Sequence, residues 1–124
     1  MKVSLLLLIA VSVFLLEADQ QKPESRDTPA LIALAEKGNA DAQFNLGLMY
    51  AKGNGVEPDQ KAAVKWWQRA AKQGQAMAQF NLGLKYADGD GVKQDFKEAV
   101  KWYQKAADQG DARAQFSLGS GFKL

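Results

Sequence analysis

The chain has 124 residues, of which 24% are charged and 47% hydrophobic, and it contains neither cysteine nor histidine. The lack of both residues excludes disulfide scaffolds, Cys/His zinc sites, thiol catalysis and Ser–His–Asp triads. A formal net charge of +2 is too small for the global field to indicate binding to nucleic acid or to a membrane surface.

The first 18 residues are typical of a secretory leader. Lys2 gives a basic start, and the uncharged run 3–16 is shorter than the roughly 20 apolar residues that cross a membrane. Ala18 is a small residue at a plausible cleavage point, although Leu16 stands where a second small residue is preferred. We therefore expect residues 1–18 to be a signal peptide and the protein to be exported, to the periplasm or outside the cell. An uncleaved membrane anchor is the alternative.

Residues 19–28 are polar and are predicted to be a tether, after which the chain repeats itself. Residues 35–70 and 71–106 match at 23 of 36 positions without a gap, and a third copy stops at Leu124. Self-similarity at a fixed period of this length is typical of stacked repeats. The expected repeat domain covers residues 29–124. It consists of a half unit (29–38), two repeats (39–74 and 75–110) and a partial repeat (111–124).

Each repeat is predicted to form two α-helices, because β-branched residues are scarce and alanine is abundant after the leader. Thr28 is predicted to cap the first helix and Pro29 to start it. The helix from about Ala40 to Lys52 is apolar on two nearly opposite faces, with Gln43 among its solvent-facing positions. Packing on two sides predicts an all-α superhelical solenoid of antiparallel helix pairs, with about six helices.

Glycine and aspartate recur at equivalent positions of the repeats. Gly47 lies inside a first helix, where glycine costs about 1 kcal/mol relative to alanine, and so indicates a close approach of two helices. Glycines after a helix tolerate the left-handed C-cap geometry, and aspartates before a helix accept bonds from its first amides. The residues with predicted structural roles are Gly47, Tyr50, Gly53, Gly55, Asp59, Trp66, Gly83, Tyr86, Gly89, Gly91, Asp95 and Trp102.

The second helix of each repeat carries an aromatic pair and a stripe of cations. Trp66 and Trp102 are expected in the core. Trp67 and Tyr103 point about 100° away, so they are either partly exposed, where they could anchor a partner, or packed between units, which is the more common outcome. The cations are interpreted as a solvated outer face, with binding of an anionic partner as the alternative. These cations are Lys61, Lys65, Arg69, Lys72, Lys97, Lys101 and Lys105.

The repeated pattern A-x-A-Q-F-N-L-G-x-x-Y-x-x-G-x-G-V-x-x-D-x-x-x-A-x-x-W begins at Ala40 and, with every fixed position kept, again at Ala76. It resembles the Sel1-like repeat, a relative of the tetratricopeptide repeat. The resemblance implies an α/α superhelix that acts as a scaffold for protein–protein contacts, in a family that includes exported bacterial proteins. The chain departs from the pattern at its end, where Ser120-Gly121 replaces Leu48-Met49.

Catalysis, metal binding and a cofactor are not expected. Without His or Cys, an acid–base pair would have to come from two carboxylates, Lys or Tyr. Asp88, Asp90 and Asp95 are close in sequence, but loop and cap positions account for them. A calcium loop is rejected because Val92 and Lys93 occupy positions that need a ligand and a turn glycine.

A ladder of equivalent residues on the first helices is the candidate binding surface. Its asparagines would offer donors and acceptors to a peptide backbone, and its apolar side chains would offer pockets. The competing interpretation is that the Phe and Leu side chains fill the space between repeats and that the Asn side chains bond to neighbouring loops. The candidate partner-binding residues are Phe44, Asn45, Leu48, Met49, Phe80, Asn81, Leu84, Lys85 and Phe116.

The sequence therefore predicts an exported helical-repeat scaffold that binds another protein or a peptide, with no nucleic-acid partner and no membrane contact after leader cleavage. One alternative is an inhibitor or stability factor for a single enzyme. An alternative of a different class is a carboxylate-dependent enzyme of the cell envelope. Phe116, Leu118 and Phe122 near the C-terminal end suggest self-association, since an uncovered repeat exposes its apolar face.

Overall fold

The computed structural model describes residues 23–119, with side chains from Thr28 onward, so the predicted leader and Phe122 lie outside the described residues. Six α-helices and no strand occur within this range. In chain order they are α1 (Pro23–Glu36), α2 (Ala40–Lys52), α3 (Gln60–Lys72), α4 (Ala76–Asp88), α5 (Phe96–Asp108) and α6 (Ala112–Gly119).

Helices that follow one another in the chain pack against one another. The pairs α2–α3 and α4–α5 correspond to the two sequence repeats, and α3 packs on α4 to join them. Helix α1 packs on α2 and α6 packs on α5, which continues the stack at both ends of the described range. The architecture is the predicted α/α superhelical solenoid of the tetratricopeptide-like type.

A folded-back loop joins the two helices of each repeat. Gly53 adopts the left-handed conformation, with φ 73°, and its N–H donates to the Met49 carbonyl at 2.7 Å. The N–H of Asp59 donates to the Tyr50 carbonyl at 2.9 Å, and the Asp59 side chain accepts from the N–H of Ala62 at 3.1 Å. The loop therefore ends one helix and caps the next. Equivalent positions in the second repeat are held by Gly89, Asp95 and Tyr86, and the further loop glycines Gly55 and Gly91 both have φ 76°.

The interior glycines of the first helices make room for aromatic rings. A Cβ at Gly47 would overlap the indole of Trp67, and one at Gly83 would lie 2.7 Å from the ring of Tyr103. Trp67 and Tyr103 are only 3% and 2% exposed, and the indole N–H of Trp67 donates to the Phe44 carbonyl at 3.1 Å. Of the two alternatives for these rings, partial exposure is wrong: both rings are packed, because the glycine opposite each ring leaves a slot that the ring fills.

The other aromatic position of each second helix lies between successive units. Trp102 is 6% exposed and joins the core cluster that contains Val64 and Ala70 of α3. Trp66 is half-buried and packs beside the smaller cluster that contains Leu46, between α1 and α2. Trp102 is therefore a core residue, whereas Trp66 is only partly covered.

The expectation that Gln43 faces solvent is wrong. Its side chain is 1% exposed, and its amide donates to the Ala35 carbonyl at 2.9 Å while accepting from Gln73 at 2.8 Å. A polar side chain with these partners is stable in the interior, because its burial leaves no hydrogen-bonding group unpaired.

The start of the first helix also differs from the prediction. Helix α1 begins at Pro23 and passes through Thr28 and Pro29, so residues 23–28 belong to a helix and Thr28 is not its cap. Pro23 occupies the first helical position, where the missing N–H needs no partner. Thr28 is 8% exposed and therefore counts among the buried residues of α1.

Candidate functional site

A cleft of about 230 Å³ separates the first helices of the two repeats. Its walls are α2 and α4, and Trp67 of α3 contributes to its lining. The cleft lies between α2 and α4 because each of these helices packs on α3, which stands between them. Its lining residues are Leu48, Ala51, Lys52, Trp67, Asn81, Leu84, Lys85 and Asp88.

The apolar part of the cleft is contributed by two equivalent leucines. Leu84 is 37% exposed, and Leu48 on the opposite wall is half-buried against the core. Trp67, which also lines the cleft, is held by its bond to the Phe44 carbonyl. These side chains form a preformed apolar surface of the kind that accepts a side chain of a bound segment.

Four polar side chains also line the cleft, and two of them, Lys85 and Asn81, have environments that bear on binding. Lys85 donates to Oε1 of Gln60 at 2.6 Å and to Oδ2 of Asp90 at 2.8 Å, so its ammonium is fixed at the edge of the cleft. Asn81 is half-buried, and its side-chain amide makes no hydrogen bond to any described residue. Its donor and acceptor are therefore available to a ligand.

The structure divides the predicted ladder into core and cleft residues. Phe44 and Phe80 are each 8% exposed and belong to core clusters, so their rings fill space between helices. Met49 packs beside the Leu46 cluster rather than in the cleft, and Asn45 is exposed outside it. The predicted residues that the structure brings together in the cleft are Leu48, Asn81, Leu84 and Lys85.

Phe116, the third rung of the predicted ladder, lines a second cavity of about 480 Å³ between α4 and α6. Its side chain is 74% exposed. The guanidinium of Arg113 lies 4.4 Å from the ring centroid of Phe80 and forms the polar part of this cavity. Helix α4 therefore contributes residues to both cavities.

Sequence reasoning missed four lining residues of the cleft. Ala51 and Lys52 follow Leu48 by three and four positions, and Asp88 follows Leu84 by four, so helical spacing places them on the same face. Trp67 could not be found in this way, because its position depends on the slot opposite Gly47.

The three clustered aspartates occupy different structural positions. Asp88 lines the cleft, Asp90 pairs with Lys85, and Asp95 caps α5. Burial raises the pKa of Tyr103 to about 12, and the nearby charge of Asp88 adds to this shift.

Within residues 23–119, no group of three or more potential ligands could hold a metal ion. No helix in that range is long and apolar enough to cross a membrane.

Comparison with solved structures identifies three similar chains. A Sel1 repeat protein from Oxalobacter formigenes has 43% sequence identity and a TM-score of 0.72, over 73% of this chain and 68% of that one. A protective antigen of uropathogenic Escherichia coli, c5321, which displays an SLR fold, has 42% identity and a TM-score of 0.75. That match covers 77% of this chain but only 21% of the antigen.

Cysteine-rich protein B of Helicobacter pylori has 26% identity and a TM-score of 0.72, over 81% of this chain and 75% of that one. Among curated proteins, no match was found. The family model for the Sel1 repeat matches residues 40–75 and 76–111, which together make up more than half of the chain. The chain therefore belongs to the Sel1 repeat family, whose fold is a scaffold that generally mediates protein–protein interaction.

Proposed function

We propose that this protein is an exported scaffold that binds an extended segment of a partner protein in the cleft between α2 and α4. The observation that carries the proposal is the half-buried Asn81, whose amide has no partner among the described residues and lines an apolar cleft. A peptide group presents one donor and one acceptor, which match the two functions of an asparagine side chain.

The surroundings of Asn81 favour a peptide as the occupant. Leu48 and Leu84 offer an apolar surface for one side chain of the segment, while Asn81 orients its backbone. Lys52 and Asp88 supply charges of both signs at the cleft, which suits a mixed polypeptide better than a ligand of one charge. The cavity between α4 and α6 offers a second place for an apolar side chain of the same partner.

The binding experiment uses random linear peptides displayed on phage and selected against the full chain. Enriched peptides are then measured by calorimetry against an Asn81→Ala/Leu84→Ala variant. We expect the double variant to weaken binding by about tenfold or more, because it removes both the polar anchor and the apolar contact. Leu34→Ala is the matched control, since Leu34 is 49% exposed on α1 and lies outside the cleft.

Circular dichroism establishes that both variants keep their helicity. The proposal fails if no peptide is enriched, or if enriched peptides bind the double variant and the wild-type chain equally. It also fails if the double variant loses its helicity on removal of these exposed and half-buried groups, because the residues are then structural.

Export is the second part of the proposal, and it is supported by the basic start and apolar run of the first 18 residues. The experiment is fractionation of the native cells, followed by N-terminal sequencing of the protein recovered. We expect the protein outside the cytoplasm with a new terminus at Asp19. Recovery of the intact chain from the cytoplasm would refute export, and recovery of the intact chain from the membrane would indicate an uncleaved anchor instead.

A further inference from the structure

The second helices of the two repeats concentrate positive charge on one side of the solenoid. Helix α3 carries four cations and no acidic residue, and α5 carries three cations and two acidic residues. The two helices together hold a charge of +5, although the whole chain has only +2. We call this surface the basic face; its cations are Lys61, Lys65, Arg69, Lys72, Lys97, Lys101 and Lys105.

Helical geometry places these cations in two parallel rows. In α3, steps of four, four and three residues confine the cations to an arc of about 80°, opposite the buried residues Trp67 and Ala70. The row in α5 lies 36 positions further along the sequence, so it occupies the same place in the next repeat. Both rows therefore face the same side of the stack, and all seven cations are exposed.

The cations of the basic face make few ion pairs, as do Lys37, Lys52 and Lys93 elsewhere in the described range. On the first helices, Lys85 pairs with Asp90 at 2.8 Å and Arg113 pairs with Asp111 at 2.9 Å. Within residues 28–119, the four cations of α3 make no ion pair, and the α5 row has one, between Lys101 and Glu98 at 3.8 Å. The charge of the basic face is therefore largely uncompensated.

Helix electrostatics accounts for only part of this charge, because Arg69, Lys72 and Lys105 lie in last turns, where the negative end of the helix dipole favours a cation. Lys61 and Lys97 are the second residues of α3 and α5, where the positive end of the helix dipole disfavours a cation. The four-residue steps also place like charges next to one another, which destabilises a helix. These unfavourable positions recur in both repeats, which favours an external anionic partner as their explanation.

The aromatic rings beside the rows argue against nucleic acid and lipid as that partner. Arg69 lies 4.9 Å from the Trp66 ring centroid, and Lys105 lies 4.9 Å from that of Trp102, so cations rather than bases occupy these rings. Of the residues in α3 and α5, only Phe96 at the start of α5 is a strongly exposed large apolar residue, and one such side chain does not form the apolar face that inserts into a membrane. An acidic polypeptide requires neither feature.

The spacing of the rows matches an extended chain. Cations four residues apart on a helix are separated by about 6 Å along its axis, and alternate side chains of an extended segment by about 6.6 Å. We propose that the basic face binds an extended acidic segment of a partner protein, with Asp or Glu at alternate positions. This site lies on different helices from the α2–α4 cleft, and it does not depend on the cleft being a binding site.

The experiment measures fluorescence anisotropy of a labelled peptide in which Glu alternates with Ser, added to the full chain at low ionic strength. A Lys61→Gln/Lys65→Gln variant is expected to bind about 2- to 30-fold more weakly, the range for two exposed ion pairs. Lys37→Gln/Lys93→Gln is the matched control, because it removes the same charge from exposed positions outside the rows and is expected to bind as the wild type does.

Three further measurements test the partner class and the spacing. A peptide with Gln in place of Glu should not bind, and a peptide with its Glu residues in one block should bind more weakly than the alternating one. The Asn81→Ala/Leu84→Ala variant should keep its affinity for the acidic peptide, which separates this site from the cleft.

No binding of the alternating peptide, or equal weakening by the two lysine variants, overturns the proposal. Equal or tighter binding of the block peptide overturns the alternating register. Single-stranded RNA and vesicles of anionic lipid are the comparison probes. The proposal is refuted if RNA or the vesicles bind, this binding is weakened by Lys61→Gln/Lys65→Gln, and the peptide does not bind. The basic face then belongs to another class of partner.

Discussion

Gln73 donates a hydrogen bond from its side-chain amide to Oε1 of Gln43 at 2.8 Å, and Gln43 donates in turn to the Ala35 carbonyl at 2.9 Å. Ala35 lies in α1, Gln43 lies in α2, and Gln73 is the C-cap residue of α3. These two hydrogen bonds, which we call the glutamine chain, therefore link three successive helices. The same arrangement recurs 36 positions later: Gln109 donates to Gln79 at 2.9 Å, and Gln79 donates to Ala71 at 3.1 Å. Hydrogen bonds, as well as apolar packing, therefore set the stacking of the repeats.

Replacement of Gln43 by leucine should lower the free energy of unfolding by about 1–3 kcal/mol. The substitution removes two side-chain hydrogen bonds at a position that is 1% exposed. The Ala35 carbonyl keeps its bond from the Gly38 N–H, which limits the loss. Urea unfolding monitored by circular dichroism measures the change.

Gln104→Leu is the control for this prediction, because Gln104 is exposed and bonds only to Asp108 within its own helix. It should change stability by less than about 0.5 kcal/mol. Equal effects of the two substitutions would show that the buried hydrogen bonds of Gln43 contribute no more to the free energy of unfolding than the exposed bond of Gln104 does.

Gly47→Ala should destabilise the chain even though alanine is the better helix former. The new methyl group would overlap the indole of Trp67, which the bond to Phe44 holds in place. Overpacking of this kind costs about 1–3 kcal/mol, which exceeds the gain of about 1 kcal/mol in helix propensity. Thermal unfolding of Gly47→Ala, of Trp67→Phe and of the double variant tests the cause, since Gly47→Ala should cost less when the smaller ring is already present.

Gly119→Ala is the matched control, because a Cβ there meets no atom within 4 Å. This change should leave stability the same or raise it slightly. A stabilising effect of Gly47→Ala would mean that the slot for the aromatic ring is looser than the structure shows.

The fold was predictable from the sequence because it depends on signals that each repeat carries locally. Asp59 caps its helix through its own side chain, and Gly53 ends the preceding helix through its own backbone. The errors fall where a residue's environment is set by a distant one. Trp67 is buried by a slot that Gly47 creates, and Gln43 is buried by partners in two other helices.

The candidate site was predictable only in part, for the same reason. Helical spacing identified Leu84 and Asn81 on one face of α4, and both line the cleft. It also placed Phe80 on that ladder, although the ring turns into the core beside Tyr103, with ring centroids 5.7 Å apart. Periodicity gives the direction of a residue from its own helix, but the packing of the neighbouring helix decides whether the residue reaches solvent.

Asp111 should make stability decrease as the pH falls into the acidic range. The hydrogen bond from Arg113, joined by bonds from backbone N–H groups including that of Ala114, holds the carboxyl pKa below its ordinary value of 3.8. A lowered folded-state pKa gives stability that is present above the unfolded pKa and is lost as pH falls through the folded value.

The measurement is the difference in unfolding free energy between the wild-type chain and Asp111→Asn as a function of pH. Asparagine can still cap α6 but cannot pair ionically with Arg113. The difference should be largest near neutral pH and should shrink towards low pH. A difference that does not vary with pH would show that the carboxylate charge of Asp111 does not stabilise the fold.

Tyr103 should produce the opposite dependence at high pH. Burial, with a smaller contribution from Asp88, raises its pKa from 10.0 to about 12. The folded state therefore favours the neutral phenol, so the stability linked to Tyr103 is intact below the unfolded pKa and is lost progressively as the pH rises from 10.0 to about 12. Tyr103→Phe cannot ionise, and the stability of the wild-type chain relative to this variant should fall across that interval. Paired denaturant titrations give the difference directly, because lysine deprotonation affects both proteins alike and cancels. A difference that stays constant through the interval would mean that the phenol ionises equally in the folded and unfolded chains, and that the slot opposite Gly83 does not shield it from water.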